Sequence, residues 1–316
     1  KIGLKEAKSF PPGYVAVADK RGLKLKPIKV LKSPSISAIT AEEAAEKLRK
    51  ILEDSAKERV SGLKEVAVAF SGGLDSSLTA LLAKKAGIKV HLVHVSLENR
   101  PETVQAKEAA ALLDMPIHTY LYSEEDVEKV LPKVLWTVES PNPVKVSIGV
   151  PIFWTAEKAA EQGFRVLLTG QGADELFGGY RRYLNVYSRF GEKAVENALV
   201  HDALTMHENN FERDSKICAF HNIEPRLPFA SYHLAEFALS LPLNLKIESK
   251  SDLLRKIVLR RVAEKLELPP QIVAKLKRAV QYATGTSKVI KKIARREKIS
   301  VKQYLQKLFS KTFEGF

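Results

Sequence analysis

The most restrictive feature of this sequence is a junction. Five apolar residues, Val66-Ala67-Val68-Ala69-Phe70, run directly into Ser71-Gly72-Gly73-Leu74-Asp75-Ser76-Ser77, and a helix-compatible stretch continues to residue 86. An unbroken apolar run this short reads as a strand buried on both faces, which requires layers above and below it. The alternation recurs: strand at 90–95, helix at 102–113, strand at 117–121, helix at 124–135. After the Pro141-Asn142-Pro143 turn come a helix at 152–161 and a strand at 165–168. Strands alternating with helices predict a doubly wound α/β fold around a parallel sheet. Thr40-Ala41-Glu42-Glu43 is a capping box that opens a helix upstream. Beyond Leu176 the pattern turns helical, at 194–207, 231–239, 253–266 and 301–309.

Composition narrows the class. Of 316 residues, 45% are hydrophobic and 28% charged, which suits a globular chain and excludes a disordered one. No apolar run approaches the roughly 18 residues of a membrane span, and no signal peptide is read at the start. The single cysteine, Cys218, excludes an intrachain disulfide and a cysteine-built metal cluster. A cytoplasmic protein is expected, and the scarcity of Met and Cys beside many charged residues suits a thermophile. The net charge of +14 is uneven: residues 246–316 carry 19 Lys/Arg against 6 Asp/Glu. That basic helical tail is expected to be mostly solvated helix face; nucleic acid is not the expected partner, although such a tail would suit one. No internal repeat is present. Residues 1–36, rich in Lys, Pro and Gly, read as a strand or two plus a linker, with the main domain at 37–316.

The 70–77 loop lies at the carboxyl end of a parallel strand, where open α/β sheets bind ligands. Two glycines allow a tight turn with bare N–H groups, Ser71, Ser76 and Ser77 add hydroxyls, and a helix N-terminus follows. This is a phosphate cradle without the Lys of a nucleotide P-loop. Asp75 would repel phosphate unless a cation intervenes, so it is a candidate Mg²⁺ ligand. The string Ser-Gly-Gly-x-Asp-Ser-Ser resembles the PP-loop ATP pyrophosphatases, which cleave ATP between its α and β phosphates. A second loop, Thr169-Gly170-Gln171-Gly172-Ala173-Asp174-Glu175-Leu176-Phe177-Gly178-Gly179-Tyr180, follows the 165–168 strand. With it the chain resembles the synthetase domain of the glutamine-dependent asparagine synthetase family, from about residue 40 to about 285. Two further stretches support that resemblance: Glu212-Arg213-Asp214-Ser215 through Ile223-Glu224-Pro225-Arg226-Leu227-Pro228-Phe229, and Leu268-Pro269 through Lys277-Arg278.

The resemblance implies a five-stranded parallel sheet with a C-terminal helical region. It implies an ATP-dependent amide-forming ligase working through an acyl-adenylate, releasing AMP and pyrophosphate, with ATP and Mg²⁺ as cofactors. Aspartate and ammonia are the expected substrates, and another carboxylate is the alternative. Phe70, Ser71, Gly72, Gly73, Asp75, Ser76 and Ser77 would hold the nucleotide's phosphates. Val95, Thr169 and Gly170 would complete the nucleotide site, with the adenine at the end of the second strand near Val95 and Ser96. Asp75 and Asp174 would bind the metal, Lys277 would act as the catalytic lysine, and Gln171 would border the acyl group. A rival reading is a PP-loop tRNA-modifying enzyme, which the basic tail would suit; thiolating members carry paired cysteines, absent here, and lysine-ligating members lack the Gly-Ala-Asp-Glu-Leu-Phe-Gly-Gly-Tyr string. Arg226 is expected to anchor a structural salt bridge. His91 and His94, three apart on a strand, point to opposite faces and do not form a metal pair.

Three departures from the family stand out. The family's glutaminase half begins with a cysteine, whereas this chain starts at Lys1 with no cysteine before Cys218. Phe10-Pro11-Pro12-Gly13-Tyr14 resembles the last fragment of that half, so ammonia is expected from solution or from a separate glutaminase subunit. A homodimer is the other partner considered. Gln171 stands where the family usually has Glu, and an amide cannot take a proton from an attacking amine. Ala230-Ser231 replaces the family's Leu-Asp.

Overall fold

The structure, a computed structural model, describes residues 10–32, 35–277 and 279–314. β1 (Tyr14–Asp19) and β2 (Gly22–Pro27) form an antiparallel hairpin. Then come α1 (Ala41–Val60), β3 (Glu65–Ala69), α2 (Leu74–Lys85), β4 (Lys89–Leu97), α3 (Pro101–Leu112), β5 (Ile117–Tyr122), α4 (Glu124–Val138), α5 (Pro143–Glu161), β6 (Val166–Leu168) and α6 (Ala173–Phe177). The remainder is α7 (Arg181–Phe190), α8 (Glu192–Met206), α9 (Glu212–Phe220), β7 (Glu224–Arg226), α10 (Tyr232–Ser240), α11 (Ile257–Lys265), α12 (Pro270–Val273), α13 (Val280–Ala283), α14 (Thr286–Arg296) and α15 (Val301–Phe313).

The main sheet is parallel, in the order β5-β4-β3-β6-β7. Alternate side chains go to opposite cores. Val66, Val68, Leu92 and Leu168 face the side covered by α1, α2, α3, α10 and α11. Ala67, Val93, Val95 and Leu167 face the side covered by α4, α5, α14 and α15. Both faces being buried is why these strands read as continuous apolar runs and not as alternations. The winding reverses between β3 and β6, and the two motif loops leave those neighbouring strands at the same edge. That reversal is the ligand-binding crevice of doubly wound sheets.

Among the differences from the sequence reading, three have a clear local cause. The fifth strand is β7, Glu-Pro-Arg, within the stretch read only as a motif. Pro225 has no N–H to give a ladder, and it is tolerated because β7 lies at the sheet edge. α5 begins at Pro143, not 152: Asn142 accepts from the N–H of Val144 and Lys145, and proline is favoured at the first helical position. α11 begins at Ile257, not 253, because Arg255 and Lys256 both sit at positive φ, 53° and 56°. Among the described residues no helix is long and apolar enough to cross a membrane.

The expected strand-plus-linker segment contains the β1–β2 hairpin, whose side chains are nearly all exposed. Residues 1–9 and 33–34 of it lie outside the described residues. The basic tail is docked, not free. On α14, Val289, Ile290, Ile293 and Ala294 are buried, while Lys292 reaches Glu124 at 2.6 Å from the solvent side.

Candidate active site

The strand–loop–helix junction at 70–77 folds on its own polar groups. The N–H of Ser71 donates to Ser76 Oγ (3.2 Å), and Ser76 Oγ donates to the Gly73 carbonyl (3.2 Å). His94 is buried and its Nδ1 donates to the Phe70 carbonyl (2.9 Å), closing the strand end from β4. Burial pushes the His94 ring below the usual histidine range, so it sits there neutral. Ser77 Oγ and, at the end of β4, Ser96 Oγ are buried with no hydrogen-bond partner among the described residues. Buried hydroxyls are normally paired, so these two are free to meet a further polar group.

The second loop packs straight onto the first. At Gly170 a Cβ would come within 2.9 Å of Asp75 Cβ, so only glycine lets the two loops approach this closely. The approach sets Asp75 and Asp174 facing each other. Two ammonium groups lie between them. Lys256 Nζ is 2.6 Å from Asp75 Oδ1 and 2.6 Å from Asp174 Oδ1. Lys277 Nζ is 3.2 Å from Asp75 Oδ2 and 2.7 Å from Asp174 Oδ2. Burial alone would raise the Asp174 carboxyl, but Lys256 and Lys277 outweigh it and hold it well below the usual range. Burial likewise opposes the charge on Lys277, and Asp174 with Asp75 pushes its ammonium above the usual lysine range.

Lys256 was not singled out by sequence reasoning, which saw it as one cation of a basic tail. Its side chain is only 2% exposed. It reaches the cleft because Arg255 and Lys256 both take the left-handed conformation just before α11, turning the chain inward. Gly179 admits it: a Cβ at 179 would fall on the Asp174 carboxylate and against Lys256 Cε. The Gly-Gly-Tyr end of the second motif is therefore a clearance for a lysine 77 positions downstream, a use visible only in three dimensions. Lys275, also not singled out, donates to the Gly72 carbonyl of the first loop (3.1 Å).

The other candidates fall around this cluster. Val95 is buried at the end of β4, and Thr169 Oγ1 accepts from the N–H of Gln171 (3.4 Å). Gln171 Nε2 donates to Asp214 Oδ2 (2.8 Å), and Arg213 Nε donates to Asp214 Oδ1 (2.7 Å). Burial raises the Asp214 carboxyl against the pull of Arg213 and Gln171. Arg226 binds Glu224 and the Arg59 carbonyl, an anchor between β7 and α1 and no part of the cleft. Ser231, where the family has Asp, caps α10 by accepting from the N–H of Leu234 (3.2 Å). His91 pairs with Glu65 and His118, away from His94. Arg278 of the fourth motif lies outside the described residues.

With this geometry in place, the likeness to known proteins has a structural meaning. The family model for asparagine synthase matches residues 47–193 and 188–312. A putative glutamine-hydrolyzing asparagine synthetase 1 of Methanocaldococcus jannaschii is 34% identical over 291 residues, covering 83% of this chain and 53% of that protein. Glutamine-hydrolyzing asparagine synthetase 1 of Arabidopsis thaliana is 28% identical over 272 residues, covering 83% of this chain and 46% of that protein. The chain belongs to the asparagine synthase family. It spans about half the length of these curated relatives. A solved structure of NMN synthetase from Francisella tularensis has 16% identity and a TM-score of 0.41, covering 85% of this chain and 87% of that one.

Proposed function

We infer that the chain catalyses ATP-dependent amide formation through an acyl-adenylate, with aspartate as the acid and ammonia as the nucleophile. The observation that carries this reading is the meeting of two loops from adjacent parallel strands, which sets Asp75 and Asp174 against Lys256 and Lys277 beside a serine-lined loop whose Ser77 hydroxyl is buried and unpaired among the described residues. The first loop supplies N–H and hydroxyl donors but no P-loop lysine, which suits a retained pyrophosphate better than transfer of a γ-phosphate.

The donor set fits Mg²⁺. Two carboxylates converge from opposite loops, each turning both oxygens to the space between them, where Lys256 and Lys277 balance their charge. Hard oxygens of this kind, completed by phosphate oxygens and water, are what Mg²⁺ takes. Asp75 and Asp174 would hold the ion, which when bound would screen the phosphates from both carboxylates and draw charge off the leaving pyrophosphate. Lys277, about a quarter exposed on a connecting segment, would follow the phosphates as charge grows on them. Lys256, fully enclosed, would keep the two carboxylates at a fixed separation.

The test is direct. The full chain is mixed with Mg²⁺-ATP and a panel of amino acids, and AMP and pyrophosphate are measured with and without ammonium. Aspartate-dependent AMP and asparagine would support the reading. ADP and phosphate as the main products would sink it.

A further inference from the structure

The carboxamide of Gln171 is held in one orientation by a buried ion pair that the proposed chemistry does not use. Arg213 and Asp214 are each 2% exposed, neighbours on α9, and Arg213 Nε donates to Asp214 Oδ1 (2.7 Å). The remaining carboxylate oxygen, Oδ2, accepts from Gln171 Nε2 at 2.8 Å. A carboxylate beside a guanidinium only accepts hydrogen bonds, so the amide must turn its NH₂ toward Asp214. Gln171 Oε1 is then left facing away from the pair with no hydrogen-bond partner among the described residues, on a half-buried residue of the loop that also carries Asp174. Besides Arg213 and Gln171, the group that feels Asp214 is the buried thiol of Cys218 on the same helix.

We propose that Asp214 is a positioning residue that fixes Gln171 with its carbonyl oxygen toward the cleft, so that this chain selects a nucleophile arriving as the free amine. This rests on the acyl-adenylate reading. In the amide-forming step the amine lone pair attacks the acyl carbon, the acyl–phosphate C–O bond breaks, AMP leaves with the electron pair, and one proton passes to solvent. An amide oxygen can accept a hydrogen bond from the incoming N–H and so aim the lone pair. It cannot remove a proton from ammonium. Gln171 and Asp214 therefore form one unit: an acceptor of fixed direction and no basicity.

Three variants separate this from a structural role. In Asp214→Asn, the Asn oxygen is claimed by Arg213 and its NH₂ faces residue 171. Gln171 must then flip and show its NH₂ to the cleft, where it repels the amine's own hydrogens. Gln171→Glu alone sets two carboxylates together. The double variant Gln171→Glu/Asp214→Asn restores a donor–acceptor pair and again leaves an oxygen toward the cleft, now one able to take a proton.

The experiment uses the full chain with Mg²⁺-ATP and the acid that supports pyrophosphate exchange, with ammonia as nucleophile between pH 6 and 9. Asp214→Asn should lose about 10-fold or more in kcat/KM for ammonia while pyrophosphate exchange stays within about 2-fold, an effect of the order of one good hydrogen bond. The double variant should recover amide formation, and its rate should fall less steeply toward low pH than that of the unmodified protein. Equal ammonia kinetics in Asp214→Asn and the unmodified protein would overturn the proposal, as would a double variant no better than either single one. Absence of pyrophosphate exchange with every acid in the unmodified protein would instead overturn the acyl-adenylate reading, and the proposal with it.

Discussion

Lys256 Nζ lies 2.6 Å from Asp75 Oδ1, although the two residues are 181 positions apart in the chain. The contact joins the first motif loop to the turn before α11, and Asp174 and Lys277 complete a square of two negative and two positive groups. Substituting Lys256 by Met should leave two carboxylates with one counter-ion in an enclosed place. Breaking a buried pair by removing one partner costs about 3–5 kcal/mol. Urea denaturation should show a loss of that size, and AMP formation should fall by about 100-fold or more. A stable Lys256→Met protein with unchanged turnover would show that the square is not part of the site.

The pH dependence of that stabilisation has a defined window. Asp174 is depressed in the folded state, so its contribution is complete above the ordinary carboxyl value of 3.8 and is lost as pH falls toward the folded value. Lys277 is raised, so its contribution is complete below the ordinary 10.5 and is lost as pH rises through the folded value. The difference in urea midpoint between the unmodified protein and Asp174→Asn should therefore stay flat from pH 5 to 9 and shrink below about pH 4. A difference that changes steadily across neutral pH would contradict the assignment of these charges.

Gly179→Ala is expected to be far more disruptive than an ordinary surface substitution. The added Cβ lands on the Asp174 carboxylate and against the Lys256 stem, both of which are enclosed. Overpacking of this kind costs roughly 1–3 kcal/mol when neighbours can move. The expected result is a lower thermal midpoint together with loss of pyrophosphate release. Gly191→Ala offers a control for space, since nothing lies within 4 Å of its Cβ position, although its φ of +79° still carries backbone strain.

Cys218 offers a probe of folding. It is fully buried, and burial pushes its thiol up to about 12. Thiolate is the reactive form, so a thiol reagent at neutral pH should label it only as fast as α9 opens. Labelling should accelerate in step with loss of secondary structure in urea. Rapid stoichiometric labelling of the native protein would mean that α9 is not packed as described.

Much of this architecture was legible in the sequence because the physics is local. Val66–Phe70 can only be buried on both sides, Thr40 and Glu43 form the capping box as read, and the two glycine-rich loops fall at strand ends. What stayed hidden depends on distant partners. β7 is three residues long with a central proline, and no propensity marks it. Asn142 looked like part of a turn because its capping role is settled by the N–H groups that follow it. Lys256 lay inside a convincing helical pattern, and only two consecutive left-handed residues, which sequence does not announce, carry it into the cleft. Asp214 was quoted in a motif, yet nothing in the string tied it to Gln171, 43 positions earlier.

The square of charges also bears on how a polyphosphate would find this cleft. Two carboxylates and two ammonium groups cancel, and a compact neutral array has a field that dies within a few ångströms. Long-range attraction must come from elsewhere, and with Lys256 and Lys277 of the square set aside, the excess of 13 positive charges in residues 246–316 leaves 11. Capture would then be the salt-sensitive step, since exposed charges are screened over about 8 Å at physiological ionic strength. Turnover, governed by groups in contact inside the cleft, would be nearly indifferent to salt. On the proposed function, the positive surface would set how often a nucleotide arrives, and the balanced interior what happens once it is there.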